Sequence, residues 1–185
     1  MTITAPSLPP NLIQQARQVR LLALDVDGIF TDGRLYFVED GSEIKAFHTQ
    51  DGLGIKLLGQ AGLSIALVTG RDSPIVSRRA AALGIEHVKQ GRDDKLEVLR
   101  ELTQELGLDF SQVAYAGDDL TDLSAIKRAG LGISVPNAPA YVREHADWVT
   151  TQTGGHGAVR EICDVLLQAQ GHWGAVVDTY LHGKR

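Results

Sequence analysis

Leu21-Leu22-Ala23-Leu24-Asp25-Val26-Asp27-Gly28 is an apolar run that stops on two acids and a glycine. Its hydrophobicity is continuous, not alternating, which suits a strand buried on both faces of a parallel sheet lying between helices. Three further runs share the pattern: 63–69 (LSIALVT), 112–117 (QVAYAG) and 131–135 (LGISV). Helical periodicity fills the intervals at about 50–60, 73–83, 93–106 and 119–129. Alternating strand and helix predicts an α/β fold, a doubly wound, Rossmann-like parallel sheet.

One stretch breaks the alternation. Segments 34–39 (RLYFVE) and 43–48 (EIKAFH) flank Asp40-Gly41-Ser42, a turn signal that predicts a β-hairpin protruding from the sheet. Residues 1–11, with Pro9-Pro10, are expected to form a loose arm, and Asn11 to cap a short helix reaching about Arg20. A helix is expected over 159–169, followed by a tail over 172–185 without periodic pattern. The 185 residues are expected to make a single domain. With 18 Lys+Arg against 23 Asp+Glu, the charge balance argues against a nucleic-acid backbone binder. No apolar run approaches the roughly 20 residues of a membrane span, and the N-terminus lacks the pattern of a signal peptide. The single cysteine, Cys163, excludes an intrachain disulfide framework and points to the cytoplasm.

Open α/β sheets bind ligands at the carboxyl ends of their strands. There the first strand offers Asp25 and Asp27, the second Thr69-Gly70-Arg71, and the third Asp118 and Asp119, with Asp122 three residues on. Lys95 opens a helix between the last two. So many carboxylates on one edge imply a cation, and oxygen ligands favour Mg²⁺, which suits few carboxylates together with water and phosphate. A carboxylate nucleophile, a cation beside it, a hydroxyl and lysine for phosphoryl oxygens, and a second acid for the leaving alkoxide fit phosphoryl transfer through an aspartyl-phosphate.

Asp25-Val-Asp-Gly-Ile-Phe-Thr-Asp-Gly33, Thr69-Gly-Arg71, Lys95 and Gly117-Asp-Asp-Leu-Thr-Asp122 resemble, in order, the four motifs of the haloacid dehalogenase superfamily of phosphatases, and the likeness runs from about residue 21 to 169. The hairpin and Gly154-Gly-His-Gly-Ala-Val-Arg-Glu161 resemble its capless subfamily acting on phosphorylated sugar acids. The resemblance implies that Asp25 is nucleophile and Mg²⁺ ligand. Asp27 would be acid and then base, with its carbonyl on the metal, and Asp118 a further ligand. Thr69 and Lys95 would hold phosphoryl oxygens, assisted by the backbone near Gly28 and Gly70; Asp119 and Asp122 would support the metal site from behind. The implied substrate is an octulosonate 8-phosphate on the way to lipopolysaccharide, the alternatives being a sialic-acid-type 9-phosphate or a non-catalytic tetramerisation module.

The 43 residues between Asp25 and Thr69 and the 25 between Thr69 and Lys95 leave no room for a cap domain. An aspartyl-phosphate needs shielding from water, so neighbouring copies are expected to close the site, as in the homotetramers of the resembled subfamily. The substrate carboxylate needs a cation: Arg71, Arg79 and Arg160 are candidates, and Arg79 matches the arginine usual in that subfamily. Plainer roles compete elsewhere: caps or turns for Asp32, Asp51 and Asp119, a surface place for His156, core packing for Cys163 and a helix-entry loop for residues 154–157.

Overall fold

The computed structural model describes residues 8–183. In chain order the elements are α1 (Pro10–Gln18), β1 (Leu21–Leu24), β2 (Tyr36–Phe37), β3 (Glu43–Ile44), α2 (Thr49–Gln60), β4 (Ser64–Val68), α3 (Pro74–Leu83), β5 (His87–Lys89) and α4 (Lys95–Leu106). There follow β6 (Val113–Ala116), α5 (Leu123–Arg128), β7 (Leu131–Ser134), α6 (Ala140–Arg143), β8 (Trp148–Val149), α7 (Ala158–Ala169) and α8 (Trp173–His182). Six strands make one parallel sheet in the order β5-β4-β1-β6-β7-β8, flanked by helices.

Strand β1 is central, and the order runs outward from it in both directions: β4 and β5 on one side, β6, β7 and β8 on the other. That reversal opens a crevice beyond the carboxyl end of β1. All four β1 residues are buried, as their continuous hydrophobicity requires. Leu24 lies beside Leu67 on one side and Ala116 on the other, and the Asp25 N–H donates to the Ala116 carbonyl at 2.9 Å. Asp25 is therefore held at the sheet's last rung.

The antiparallel pair β2–β3 stands apart from this sheet, as the Asp40-Gly41 signal predicts, but is shorter than the flanking segments suggested. Its apolar side chains Leu35, Tyr36, Phe37, Val38 and Ile44 are exposed.

Three expectations are corrected. Helix α1 begins at Pro10, in the first helical position, where a missing N–H costs nothing; Asn11 lies within the first turn and does not cap. Residues 1–7 of the arm lie outside the described residues, while Leu8 is buried in the core, so residues 8–11 are anchored. The C-terminal segment carries α8. Trp173, Val176, Val177 and Tyr180 follow helical spacing and, with Leu53 and Leu57 of α2, line an apolar groove of about 340 Å³. Strand β8 and helix α6 were not anticipated; each is too short to carry a periodic signal.

Candidate active site

Asp25 leaves β1 into the crevice and is almost wholly buried. Lys95, the first residue of α4 and itself buried, donates to Asp25 Oδ1 at 2.5 Å, to Asp122 Oδ1 at 3.0 Å and to the Val68 carbonyl at 3.2 Å. A cation at a helix N-terminus opposes the helix dipole; here two carboxylates offset the cost. Burial pulls the Lys95 ammonium down, but Asp25 and Asp122 outweigh it and leave its pKa raised.

Asp122 is the organiser of this cluster. Its Oδ1 accepts from the buried Tyr115 hydroxyl at 2.6 Å as well as from Lys95. Its Oδ2 accepts the N–H groups of Asp118 and Asp119, both at 3.0 Å. Oδ2 thus shapes the turn that presents Asp118, while Oδ1 holds Lys95. The Asp119 carboxylate instead accepts from the Leu120 N–H at 2.7 Å, capping the turn Leu120–Asp122. Its local use is a cap, reciprocated by Asp122 in a capping box. Tyr115 escaped the sequence reading because an aromatic residue in a buried strand reads as core.

Asp118 lies over Gly28. A Cβ on Gly28 would fall 2.0 Å from Asp118 Oδ2, and the residue has φ +105°, so glycine is required on both counts. Burial, then repulsion from Asp122 and Asp119, pushes the Asp118 carboxyl up to about 7. Burial likewise raises Asp25, against the pull of Lys95. Carboxylate oxygens of Asp25, Asp118 and Asp122 lie within 4.8 Å of one another, and Asp118 Oδ1 is buried without a hydrogen-bond partner. An orphaned buried oxygen among hard carboxylate donors fits a small divalent ion such as Mg²⁺.

Opposite this dry cluster stands a wetter one. Asp27 Oδ1 is ion-paired with Lys45, from the strand-end of the hairpin, whose side chain is 1% exposed. Asp27 Oδ2 lies 3.9 Å from Arg71 Nε. Glu43 joins the two cations, at 2.9 Å from Arg71 and 3.5 Å from Lys45. Lys45 and Glu43 were missed: a charge in a β-rich hairpin reads as solvated, yet Lys45 faces inward while its neighbour Ile44 faces out.

Thr69 is buried, and its Oγ1 accepts from the Arg71 N–H at 3.2 Å. At Gly70 a Cβ would run into Asp93 Oδ1. Thus Asp25, Asp27, Gly28, Thr69, Gly70, Arg71, Lys95, Asp118 and Asp122 share one edge. Arg79 does not join the acids: it lies against Gly52 and over the Phe47 ring at 5.6 Å. Arg160 pairs with Asp164 at 2.7 Å.

The glycine loop 154–157 has a packing role. A Cβ on Gly154 would fall 1.7 Å from the Gly28 carbonyl oxygen, and the Gly155 N–H donates to the Ile29 carbonyl at 3.0 Å. This loop braces the turn that carries Asp27 and Gly28. Asp51 is a cap, as its plainer reading held, though for another helix: its Oδ1 accepts the Arg160 N–H in the first turn of α7 at 2.8 Å. Cys163 is buried in the core.

A doubly wound sheet whose central strand ends in a lysine-paired aspartate, with a second carboxylate two residues on, defines a haloacid dehalogenase-like hydrolase, and residues 85–162 match that family. A 3-deoxy-D-manno-octulosonate 8-phosphate phosphatase of Salmonella typhimurium is 43% identical over 162 residues, spanning 88% of this chain and 86% of that protein. The crystal structure of the phosphatase of that name from Moraxella catarrhalis, in complex with magnesium, phosphate and KDO, is 49% identical with a TM-score of 0.91, covering 92% of this chain and 98% of that one. The cobalt-bound form from Haemophilus influenzae is 42% identical with a TM-score of 0.86, covering 91% and 98%. The chain belongs to this phosphatase family.

Proposed function

We propose that this chain hydrolyses 3-deoxy-D-manno-octulosonate 8-phosphate to the sugar acid and inorganic phosphate through an aspartyl-phosphate on Asp25. The observation that carries the reading is the Asp25 carboxylate, held by Lys95 at the end of the central strand with the orphaned oxygen of Asp118 in the same cluster. The names of the Salmonella and Moraxella relatives support the substrate.

Asp25 attacks phosphorus, the bond from phosphorus to the sugar oxygen breaks, and the departing alkoxide takes a proton from Asp27. Water then attacks the acyl phosphate, giving its proton to Asp27, and phosphate leaves with Asp25 restored. Lys95 and Thr69 hold phosphoryl oxygens through both steps. Asp25, Asp118 and the backbone carbonyl of Asp27 would hold Mg²⁺, which would supply positive charge against the crowded oxygens. Asp122 keeps Asp118 and Lys95 in place and does not meet substrate. Arg71, beside Asp27, is the better placed arginine for the sugar-acid carboxylate.

The reading extends to a homotetramer acting in the cytoplasm, on the route to lipopolysaccharide. The exposed apolar hairpin side chains and the lack of room for a cap support association. The buried unpaired Cys163 fits a reducing compartment. No described helix is long and apolar enough to cross a membrane.

Phosphate release from the octulosonate 8-phosphate, with Mg²⁺ and with EDTA, tests the assignment. Release should require the metal, with kcat/KM at least about tenfold above that for a sialic-acid-type 9-phosphate. Metal-independent release, or the opposite preference, refutes it.

A further inference from the structure

Lys45 is the one buried charged side chain of the hairpin, and neither the four motifs nor the chemistry above uses it. Its side chain is 1% exposed and its ammonium ends on Asp27 Oδ1, with Glu43 at 3.5 Å. Burying a lysine is costly unless a counter-charge meets it. A hairpin needing only an anchor would bury Ile44 instead, which is 54% exposed. We propose that Lys45 is a positioning residue for Asp27: by occupying Oδ1 it fixes the carboxyl rotamer and leaves Oδ2 as the oxygen that passes the proton to the leaving alkoxide. The proposal rests on the reading of Asp27 as acid and base.

The geometry supports a division of labour between the two oxygens. Lys45 donates its hydrogen bond to Oδ1, whereas Arg71 Nε approaches Oδ2 only to 3.9 Å, beyond hydrogen-bond range. Oδ2 therefore keeps a lone pair or a proton free for transfer. When Asp27 gives up its proton, the new carboxylate charge already faces a fixed ammonium, so no side chain has to reorganise. Once Asp27 has given up its proton, Asp27 and Glu43 face Lys45 and Arg71, two acidic groups against two basic ones. The backbone of Lys45 follows β3 directly, so the placement of Asp27 depends on how the hairpin is seated.

The leaving group provides the test. An alkyl phosphate needs a proton on its departing oxygen, whereas p-nitrophenyl phosphate does not, and kcat/KM reports only steps through departure of the alcohol. Lys45→Met should lower kcat/KM for the sugar 8-phosphate about 100-fold, at the low end of general-acid contributions. Its loss with p-nitrophenyl phosphate should stay below about fivefold, and Lys45→Arg should recover part of the difference. Asp27→Asn, run beside it, should show the same selectivity more strongly. Equal losses for both substrates in Lys45→Met, or no loss, overturn the proposal while Asp27→Asn remains selective. If Asp27→Asn is itself unselective, the acid assignment fails and the proposal falls with it. A crystal structure of Lys45→Met gives a readout independent of turnover: Asp27 should leave its present rotamer, and an unchanged rotamer overturns the proposal. Should Lys45→Met not fold, Lys45→Gln serves for the same kinetic comparison.

Discussion

The carboxyl edge of the sheet and the hairpin invert each other. At the edge, Asp25, Lys95, Asp122 and the Tyr115 hydroxyl are charged or polar and buried, and each finds its partners within the chain. On the hairpin, Leu35, Tyr36, Phe37, Val38 and Ile44 are apolar and exposed, with Phe37 at 66%. A buried polar cluster is tolerated when every group is satisfied, and the edge meets that condition except at Asp118 Oδ1. The hairpin leaves its apolar surface unmet within one chain. The difference teaches that the polar edge is satisfied within one chain, whereas the hairpin leaves its apolar side chains in solvent. Lys45 belongs to both regions, buried on the inner side of the exposed ribbon.

Four experiments break or sharpen this contrast. The largest effect is expected at the edge. Asp25→Asn should reduce turnover by about 10⁴-fold or more, as loss of a nucleophile does, with circular dichroism unchanged; residual turnover of a few per cent contradicts the nucleophile. Asp122→Ala leaves the Lys95 and Tyr115 donors and two backbone N–H groups short of an acceptor. It should cost roughly 3–5 kcal/mol in denaturant unfolding, and a loss under 1 kcal/mol would show that the cluster relaxes.

The hairpin comes next. Phe37→Ser with Ile44→Ser should move the protein to smaller species on gel filtration, weakening association by about 1–3 kcal/mol. Thermal unfolding of the dissociated chain should change little. An unchanged elution volume would show that the exposed ribbon is not the contact surface.

The smallest effect concerns pH. Burial, then Asp122 and Asp119, raise Asp118 from 3.8 to about 7, so the folded metal-free protein holds a proton that the unfolded chain has lost. Between those values its stability should fall as pH rises, because the folded state binds more protons. Mg²⁺ must displace that proton, and the one that burial holds on Asp25 up to about 8, so affinity measured by calorimetry should rise about tenfold per pH unit for each proton displaced and level off only above about 8. A flat profile from pH 5 to 7 would show that Asp118 is already ionised.

Much of the candidate site was legible because α/β folds put strand ends on one edge: runs of apolar residues ending in acid or hydroxyl named Asp25, Asp27, Thr69 and Asp118 before any contact was known. Lys95 was legible as a cation at a helix start, where structure alone disfavours one. Other readings failed for local reasons. Asn11 looked like a cap, but Pro10 needs no cap acceptor for a hydrogen it lacks. The periodicity of α8 was overlooked in the tail, though Trp173, Val176, Val177 and Tyr180 carry it. Arg79, a substrate candidate by likeness, lies against Gly52 and over the Phe47 ring, contacts that its position in the sequence does not announce.

By itself the sequence determined the sheet, the edge on which the acids gather and which acids they are, because hydrophobic continuity and strand endings are properties of neighbouring residues. Only the tertiary structure decided which groups face one another across distant segments. Tyr115 and Lys95 meet on Asp122, Gly154 closes on the Gly28 carbonyl, and Lys45 reaches Asp27 from 18 residues away. Those pairings depend on how sheet, helix and hairpin pack, and the burial that shifts Asp118 and hides Lys45 exists only once they have packed.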